Sequence, residues 1–133
     1  MVLLHPPAVH FPLALWLTSA LFDVLACRGG DPLYRRAAYW LVGLGLLGAL
    51  ASIALGWIDL LTQERGGVGT GLVLRHRLHS EAAYIATLVY GINLGWRWRN
   101  QNRVSATLLT LSMTGAVLVA ITGYLGGDLR GVM

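Results

Sequence analysis

Residues 37–61 read AAYWLVGLGLLGALASIALGWIDLL, and their only charge is Asp59, close to the end. In a helix rising about 1.5 Å per residue this stretch is longer than the roughly 30 Å hydrocarbon core of a bilayer. A helix that is apolar all round belongs in a membrane or in the core of a large protein. The stretch is therefore predicted to cross a membrane. Working outward from it, three further runs read the same way: residues 8–27, about 78–97, and 104–127. Between them lie residues 28–36 (with Gly29, Gly30, Asp31 and Pro32), residues 62–77 (with four glycines) and residues 99–103, all turn and breaker compositions. The expected fold is all-α: one domain over 1–133, an integral membrane four-helix bundle running up-down-up-down with both termini on one face.

Composition agrees. Of 133 residues, 56% are hydrophobic and 12% charged, against about 25% charged in soluble domains, and the mean hydropathy is +0.62. A water-soluble globule is excluded. The 17 glycines are scattered through apolar runs without a G-X-Y period, so neither collagen nor a disordered linker fits. All ten basic residues are arginine, giving a net charge of +4. They flank the apolar runs instead of forming a soluble basic face, which argues against nucleic-acid binding. Cys27 is alone and has no CxxC partner, so it forms no internal disulfide and reads as a small buried or interfacial side chain. No basic residue precedes the first apolar run and no A-x-A-like site follows it, so that run is expected to be retained.

Four crossings put both termini and the 62–77 loop on one face, called A. Face B then carries Arg28, Arg35, Arg36, Arg97, Arg99 and Arg103, and face A carries Arg65, Arg75, Arg77 and Arg130. By the positive-inside rule this bias makes face B cytoplasmic and the termini extracytoplasmic. Tyr34, Tyr39, Trp40, Trp96 and Trp98 would form an aromatic belt at face B, with Trp57, Tyr84 and Tyr124 nearer face A. The third crossing has an uncharged stretch, residues 82–96, too short to span alone. It must draw in His79, Ser80 and Glu81, or the Arg97 region. An ionisable residue at depth costs about 2.5–3.5 kcal/mol, so such a group faces the bundle interior or marks function. Small residues recur at fourfold spacing: Gly48, Ser52 and Gly56, with Gly45 and Ala49 alongside, on the second helix, and Ala83, Thr87, Gly91 and Gly95 on the third. Such stripes serve close helix packing or leave room for a flat cofactor.

All four histidines, His5, His10, His76 and His79, fall on face A. His76 and His79 are neighbours on one helix face, and Ala83 continues the His79 side by a turn, as Ala14 and Thr18 continue that of His10. The first and third helices are diagonal in such a bundle, so His10 and His79 are the expected axial ligands of a haem iron. His5 and His76 would be second-site ligands or partners that orient the ligands. Arg75 and Arg77, or Arg65 and Arg130, would pair with propionates. A non-haem metal held by the same four histidines, with Asp59 or Asp128 supplying oxygen, is the other metal reading, although no HExxH or paired CxxC is present. Asp59 reads as an interfacial acid or, turned inward, as the acceptor that fixes the tautomer of a ligating histidine. Asp23, near face B, is expected to pair with Arg28 or another face B arginine. Trp16 and Leu17 read as packing or lipid contacts. No nucleophile elbow, coherent acid pair, GxGxxG or P-loop appears.

The opening His5-Pro6-Pro7-Ala8-Val9-His10-Phe11-Pro12-Leu13-Ala14-Leu15 resembles the HPxxVHFPxAL signature of a bacterial membrane-protein family, domain of unknown function 2231. The ending Thr122-Gly123-Tyr124-Leu125-Gly126-Gly127-Asp128-Leu129 is similar to that family's TGxxGGxL pattern. The resemblance covers essentially the whole chain and implies four crossings, histidines matching His5 and His10, one matching His76 or His79, and an acid matching Asp59. Relatives joined to Rieske-type iron-sulfur domains imply redox company. The leading expectation is a b-type haem protein, with one or two haems, passing electrons in or beside a larger membrane redox complex of the bacterial cytoplasmic membrane, beside an iron-sulfur protein or other redox subunits. The alternatives are a cofactor-free accessory subunit packed through its glycine stripes in a complex or homo-oligomer, and a small metal or proton transporter.

Overall fold

The computed structural model describes residues 8–29, 31–63 and 70–131. Among the described residues four helices follow one another: α1 (His10–Cys27), α2 (Pro32–Gln63), α3 (Thr70–Arg99) and α4 (Ala106–Gly131). No strand occurs among the described residues. Among the described residues three segments are long and apolar enough to cross a membrane: α1, the Pro32–Asp59 part of α2 and the Ala106–Gly127 part of α4. α3 falls short in composition, because it carries Arg75, Arg77, Glu81 and Arg97 in addition to its apolar middle.

The helices run past the expected boundaries. α2 starts at Pro32 and not at residue 37, because Asp31 caps it: its side chain accepts the Leu33 N–H at 2.7 Å, and proline suits the first helical position. α3 starts at Thr70 and not near residue 78, since a helix is free to continue beyond the hydrocarbon edge once water can solvate its side chains. α4 occupies Ala106–Gly131 where 104–127 was expected; Ser105 Oγ accepts the Leu108 N–H at 3.1 Å and sets its start. The α3–α4 turn passes through Gln101 and Asn102 at φ 53 and 54, a left-handed region that asparagine tolerates better than most side chains.

The helices form a ring in which α1 meets α2, α2 meets α3, α3 meets α4 and α4 meets α1, leaving α1/α3 and α2/α4 as diagonals. The α2–α3 seam is the loosest of the four. Inward positions step by threes and fours: Ala38, Val42, Gly45, Ala49 and Ser52 on α2; Ala86, Tyr90, Asn93 and Arg97 on α3; Leu108, Ser112, Gly115 and Val119 on α4. That 3.5-residue period is the one expected of a left-handed helix bundle. The polarity is that of a membrane protein. Leucines, isoleucines and tryptophans face outward, among them Leu47, Leu50, Trp57, Leu88 and Trp98, while Ser19, Asp23, Asn93, Arg97 and Ser112 are buried.

The middle of the bundle is filled by two rings from diagonal helices. Trp16 and Tyr90 stack with centroids 4.1 Å apart and planes 11° from parallel. The Trp16 indole donates to the Val42 carbonyl at 3.3 Å, and the Tyr90 hydroxyl to the Trp16 carbonyl at 3.4 Å. Two glycines make the space: a Cβ on Gly45 would overlap the Trp16 indole, and one on Gly115 would lie 2.8 Å from the Tyr90 ring. The Gly45 and Gly48 part of the α2 stripe is thus close packing, filled by Trp16 and Phe11. The α3 stripe has a different fate. Steps of four drift about 40° each from the 3.6-residue turn, so Ala83 and Thr87 are half-buried while Gly91 and Gly95 reach the surface, with no neighbouring atom within 4 Å of a Cβ.

Candidate functional site

Toward face B, the interior holds a charged network. Asp23 Oδ2 accepts from Arg97 at 2.5 Å and from Ser112 Oγ at 2.6 Å; both ion-pair side chains have no exposed surface. Arg97 also donates through Nε to Asn93 at 2.7 Å and through Nη1 to Asn102 at 3.1 Å. Asn93 donates to Ser112 at 2.9 Å, and Asn102 donates to the Arg35 carbonyl at 2.7 Å. All four helices are tied in one cluster. Asp23 does pair with a face B arginine, but with one that lies inside the bundle. Arg97 had been counted among the membrane flanks; its charge is neutralised within the fold and is unavailable to the interface. Asp23 Oδ1 is buried without a hydrogen-bond partner. Asn93, Asn102 and Ser112 escaped the sequence reading. The signal was there: counting from His79 in steps of seven, four, three and four reaches Ala86, Tyr90, Asn93 and Arg97, one inward line.

At the face A end, His79 begins that line. It is 9% exposed, and its Nδ1 lies 3.1 Å from the Thr122 carbonyl of α4. A carbonyl can only accept, so Nδ1 carries the proton, and in the neutral ring Nε2 carries the lone pair. Gly126 lets the ring sit there: a Cβ would come 3.0 Å from His79 Cε1. His76, half-buried, has Ser80 Oγ 3.4 Å from its Nδ1. Both imidazoles line a cavity of about 280 Å³ between α2 and α3. Ile53, Gly56 and Trp57 form its α2 side; Arg77, Ser80, Glu81, Ala83 and Tyr84 complete its α3 side. Arg77 and Glu81 pair across one turn at 2.8 Å, both largely exposed, so the pair adds little stability.

His10 is elsewhere. Gly123 faces Leu13, and Gly126, three residues further along α4, faces His79; the antiparallel α1–α4 register therefore puts His10 and His79 at about the same level. Their facing differs. His10 is exposed and sits about 120° around α1 from Trp16 and about 140° from Asp23. It points away from the interior, with Ala14 and Thr18 behind it, also exposed. His10 and His79 share no common space within one chain. His5 and Arg65 lie outside the described residues, as do the side chains of Asp128 and Arg130. Arg75 is exposed, and Asp59 is half-buried and does not line the cavity. No group of three or more histidine, cysteine or acidic residues suited to a metal ion forms among the described residues.

Fold and site together define a small integral membrane bundle with a charged lock near face B and an imidazole-lined cavity at face A. No curated protein and no solved structure matches the chain. It belongs to the family described as a predicted membrane protein (DUF2231), whose profile matches residues 2–132, in agreement with the HPxxVHFP opening.

Proposed function

We propose that the protein is a subunit of a membrane redox assembly, with the face A cavity as its working site. The observation that carries this is His79, an ionisable ring buried inside a membrane bundle and oriented by a backbone carbonyl. Burial of such a group is costly unless it is paired or used, and fixing one ring nitrogen defines what the other does. The cavity walls combine that ring and His76 with aromatic and aliphatic side chains, the mixture expected of small-molecule sites. The test compares native membranes carrying wild type and the His76→Ala/His79→Ala double variant at equal abundance. Electron flux from a dehydrogenase substrate to the terminal acceptor should fall severalfold; unchanged flux would remove the redox role.

Haem b is a second reading, favoured by the buried His79 imidazole at the cavity, a residue type that would hold its iron. Haem supplies one-electron transfer when bound. His79 would be one of its ligands, and Arg77, which lines the same cavity, would pair with a propionate. The second ligand does not come from His10 of the same chain, and the space between α1 and α3 is taken by Trp16 and Tyr90. A reduced-minus-oxidised spectrum and a pyridine haemochrome assay decide it: stoichiometric haem lost in His79→Ala supports this reading, and a folded, haem-free wild type excludes it. A cofactor-free accessory subunit is a third reading, favoured by the outward Gly91 and Gly95, which a partner helix or a second copy could approach closely. The proposed orientation keeps face B cytoplasmic, now on five arginines against four once Arg97 is set aside, in the cytoplasmic membrane of a bacterium.

A further inference from the structure

We infer that the α2–α3 seam holds one anionic phospholipid at its face B end, with Arg36 and Arg99 on the phosphate and an acyl chain in the slot left by Gly43, Gly91 and Gly95. The inference is independent of what the face A cavity does. Helix rotation puts these residues together. Gly91 and Gly95 lie about 100° and 140° round α3 from the inward Tyr90, the same way round as Ser80 and Tyr84, which line the α2–α3 cavity. Gly43 and Arg36 lie about 100° and 120° round α2 from the inward Val42, the same way round as the cavity's Trp57. Gly45 and Gly48 turn the other way, to Trp16 and Phe11 of α1. Level agrees with rotation. The cavity sets residues 53–57 of α2 opposite 76–84 of α3, and the two helices run antiparallel. From the middle of each stretch, twelve residues toward face B reach Gly43 and Ile92, the neighbour of Gly91; nineteen reach Arg36 and Arg99.

The slot is open and its mouth is charged. A Cβ on Gly43, Gly91 or Gly95 would meet no atom within 4 Å, and this seam is the loosest of the four. Leu47, Leu50, Leu88 and Ile92 are exposed around it and give a hydrocarbon chain its walls. Arg36 and Arg99 are exposed at the mouth, and among the described residues neither makes an ion pair or a side-chain hydrogen bond. Asp31, the nearest acid along the chain, is committed to the Leu33 N–H. A guanidinium keeps its charge throughout the physiological range, and its planar fork matches the oxygens of a phosphate. Trp98 beside Arg99 and Trp40 one turn below Arg36 are both exposed, as indoles at headgroup depth are. Positive charge over an apolar slot complements an anionic headgroup over its acyl chain. A second copy is the poorer occupant, since a twofold contact through this seam would bring four unpaired arginines together.

The test releases the purified full chain from nanodiscs of equal parts dioleoyl phosphatidylglycerol and dioleoyl phosphatidylcholine into a native mass spectrometer, which counts both the lipids retained and the copies of the chain. Wild type should keep one phosphatidylglycerol per chain, preferred over phosphatidylcholine roughly twentyfold, at about fivefold for each arginine near the surface. Arg99→Gln should cut the preference about fivefold, and Arg36→Gln/Arg99→Gln should remove it. Arg28→Gln, the same loss of charge at the end of α1, should leave it unchanged. Gly91→Leu fills the slot from a position where nothing lies within 4 Å; it should lower phosphatidylglycerol retention severalfold with an unaltered helical spectrum. A folded wild type with no preference between the lipids would overturn the inference. So would an Arg28→Gln loss equal to that of Arg99→Gln, which would make the charge diffuse, or a dimer that Gly91→Leu splits, which would put a second copy in the seam.

Discussion

Breaking the Asp23–Arg97 pair should be the most damaging change of charge in the molecule, and the two partners should not cost the same. Arg97→Met removes the donor to four acceptors at once: Asp23 at 2.5 Å, Asn93 at 2.7 Å, Asn102 at 3.1 Å and Ser112 at 3.5 Å. It also strands a carboxylate with only the Ser112 hydroxyl, since Asp23 Oδ1 has no partner. Asp23→Val leaves Arg97 with Asn93, Asn102 and Ser112. Orphaning a buried charge costs about 3–5 kcal/mol, so Arg97→Met should lie at the upper end and Asp23→Val at the lower. Replacing both by apolar side chains removes the charges together, and such exchanges are close to neutral. The double variant should then fall within about 2 kcal/mol of wild type, against an additive sum of about 8 kcal/mol, a coupling of roughly 6 kcal/mol or more. Because an unfolded chain in detergent finds other partners, the measured coupling will sit toward the low side. The assay is reversible unfolding in mixed micelles with increasing denaturing detergent, followed by tryptophan fluorescence, since Trp16 reports from the core. Single variants that each cost under about 1 kcal/mol and add in the double would refute the idea that this pair locks the bundle.

Other consequences can be checked in the same system. Gly115→Ala forces the Tyr90 ring to move and should cost about 1–3 kcal/mol by overpacking, whereas Gly91→Ala, with no neighbouring atom within 4 Å, should be neutral or slightly stabilising through helix propensity; equal effects would deny the assigned facing of α3. Tyr90→Phe loses only a long hydrogen bond of 3.4 Å and should cost about 1 kcal/mol or less, against about 3–5 kcal/mol for Tyr90→Ala, which empties half of the central stack; the detergent midpoints separate the two. Cys27 is exposed at the face B end of α1. A membrane-impermeant maleimide should label it in inverted vesicles and not in intact cells, and the opposite pattern would reverse the orientation.

How much of this is legible in the sequence differs from element to element. Four helices and a membrane are written into residues 37–61 and the runs like them, because length and hydropathy are bulk properties. Helix ends were missed by up to eight residues: at Pro32, a residue read as a breaker is a starter once Asp31 caps it, and at Thr70 the helix outruns the lipid. For the site, level was legible and rotation was not. His10 and His79 do lie at about one height, but 120° of turn around α1 sends His10 outward. The fourfold spacing of Ala83, Thr87, Gly91 and Gly95 looked like one face, yet the packed face follows a 3.5-residue step. That step takes His79 to Arg97 and leads the glycines to the surface. Arg97 was misread for a similar reason: an arginine beside Trp96 and Trp98 has the composition of a flank, and only the opposing Asp23 shows that it is interior.

The state of the His79 ring underlies the face A site, and nitrogen NMR of histidine-labelled protein in nanodiscs reads it directly. Comparing wild type with His79→Gln assigns the His79 pair of resonances, and exposed His10 serves as the internal reference for a ring exchanging with water. The expected spectrum shows His79 protonated on Nδ1, with slow exchange of that proton. A His79 protonated on Nε2 instead, or one averaging between tautomers like His10, would mean that the Thr122 carbonyl does not hold the ring and that the face A site does not exist as described.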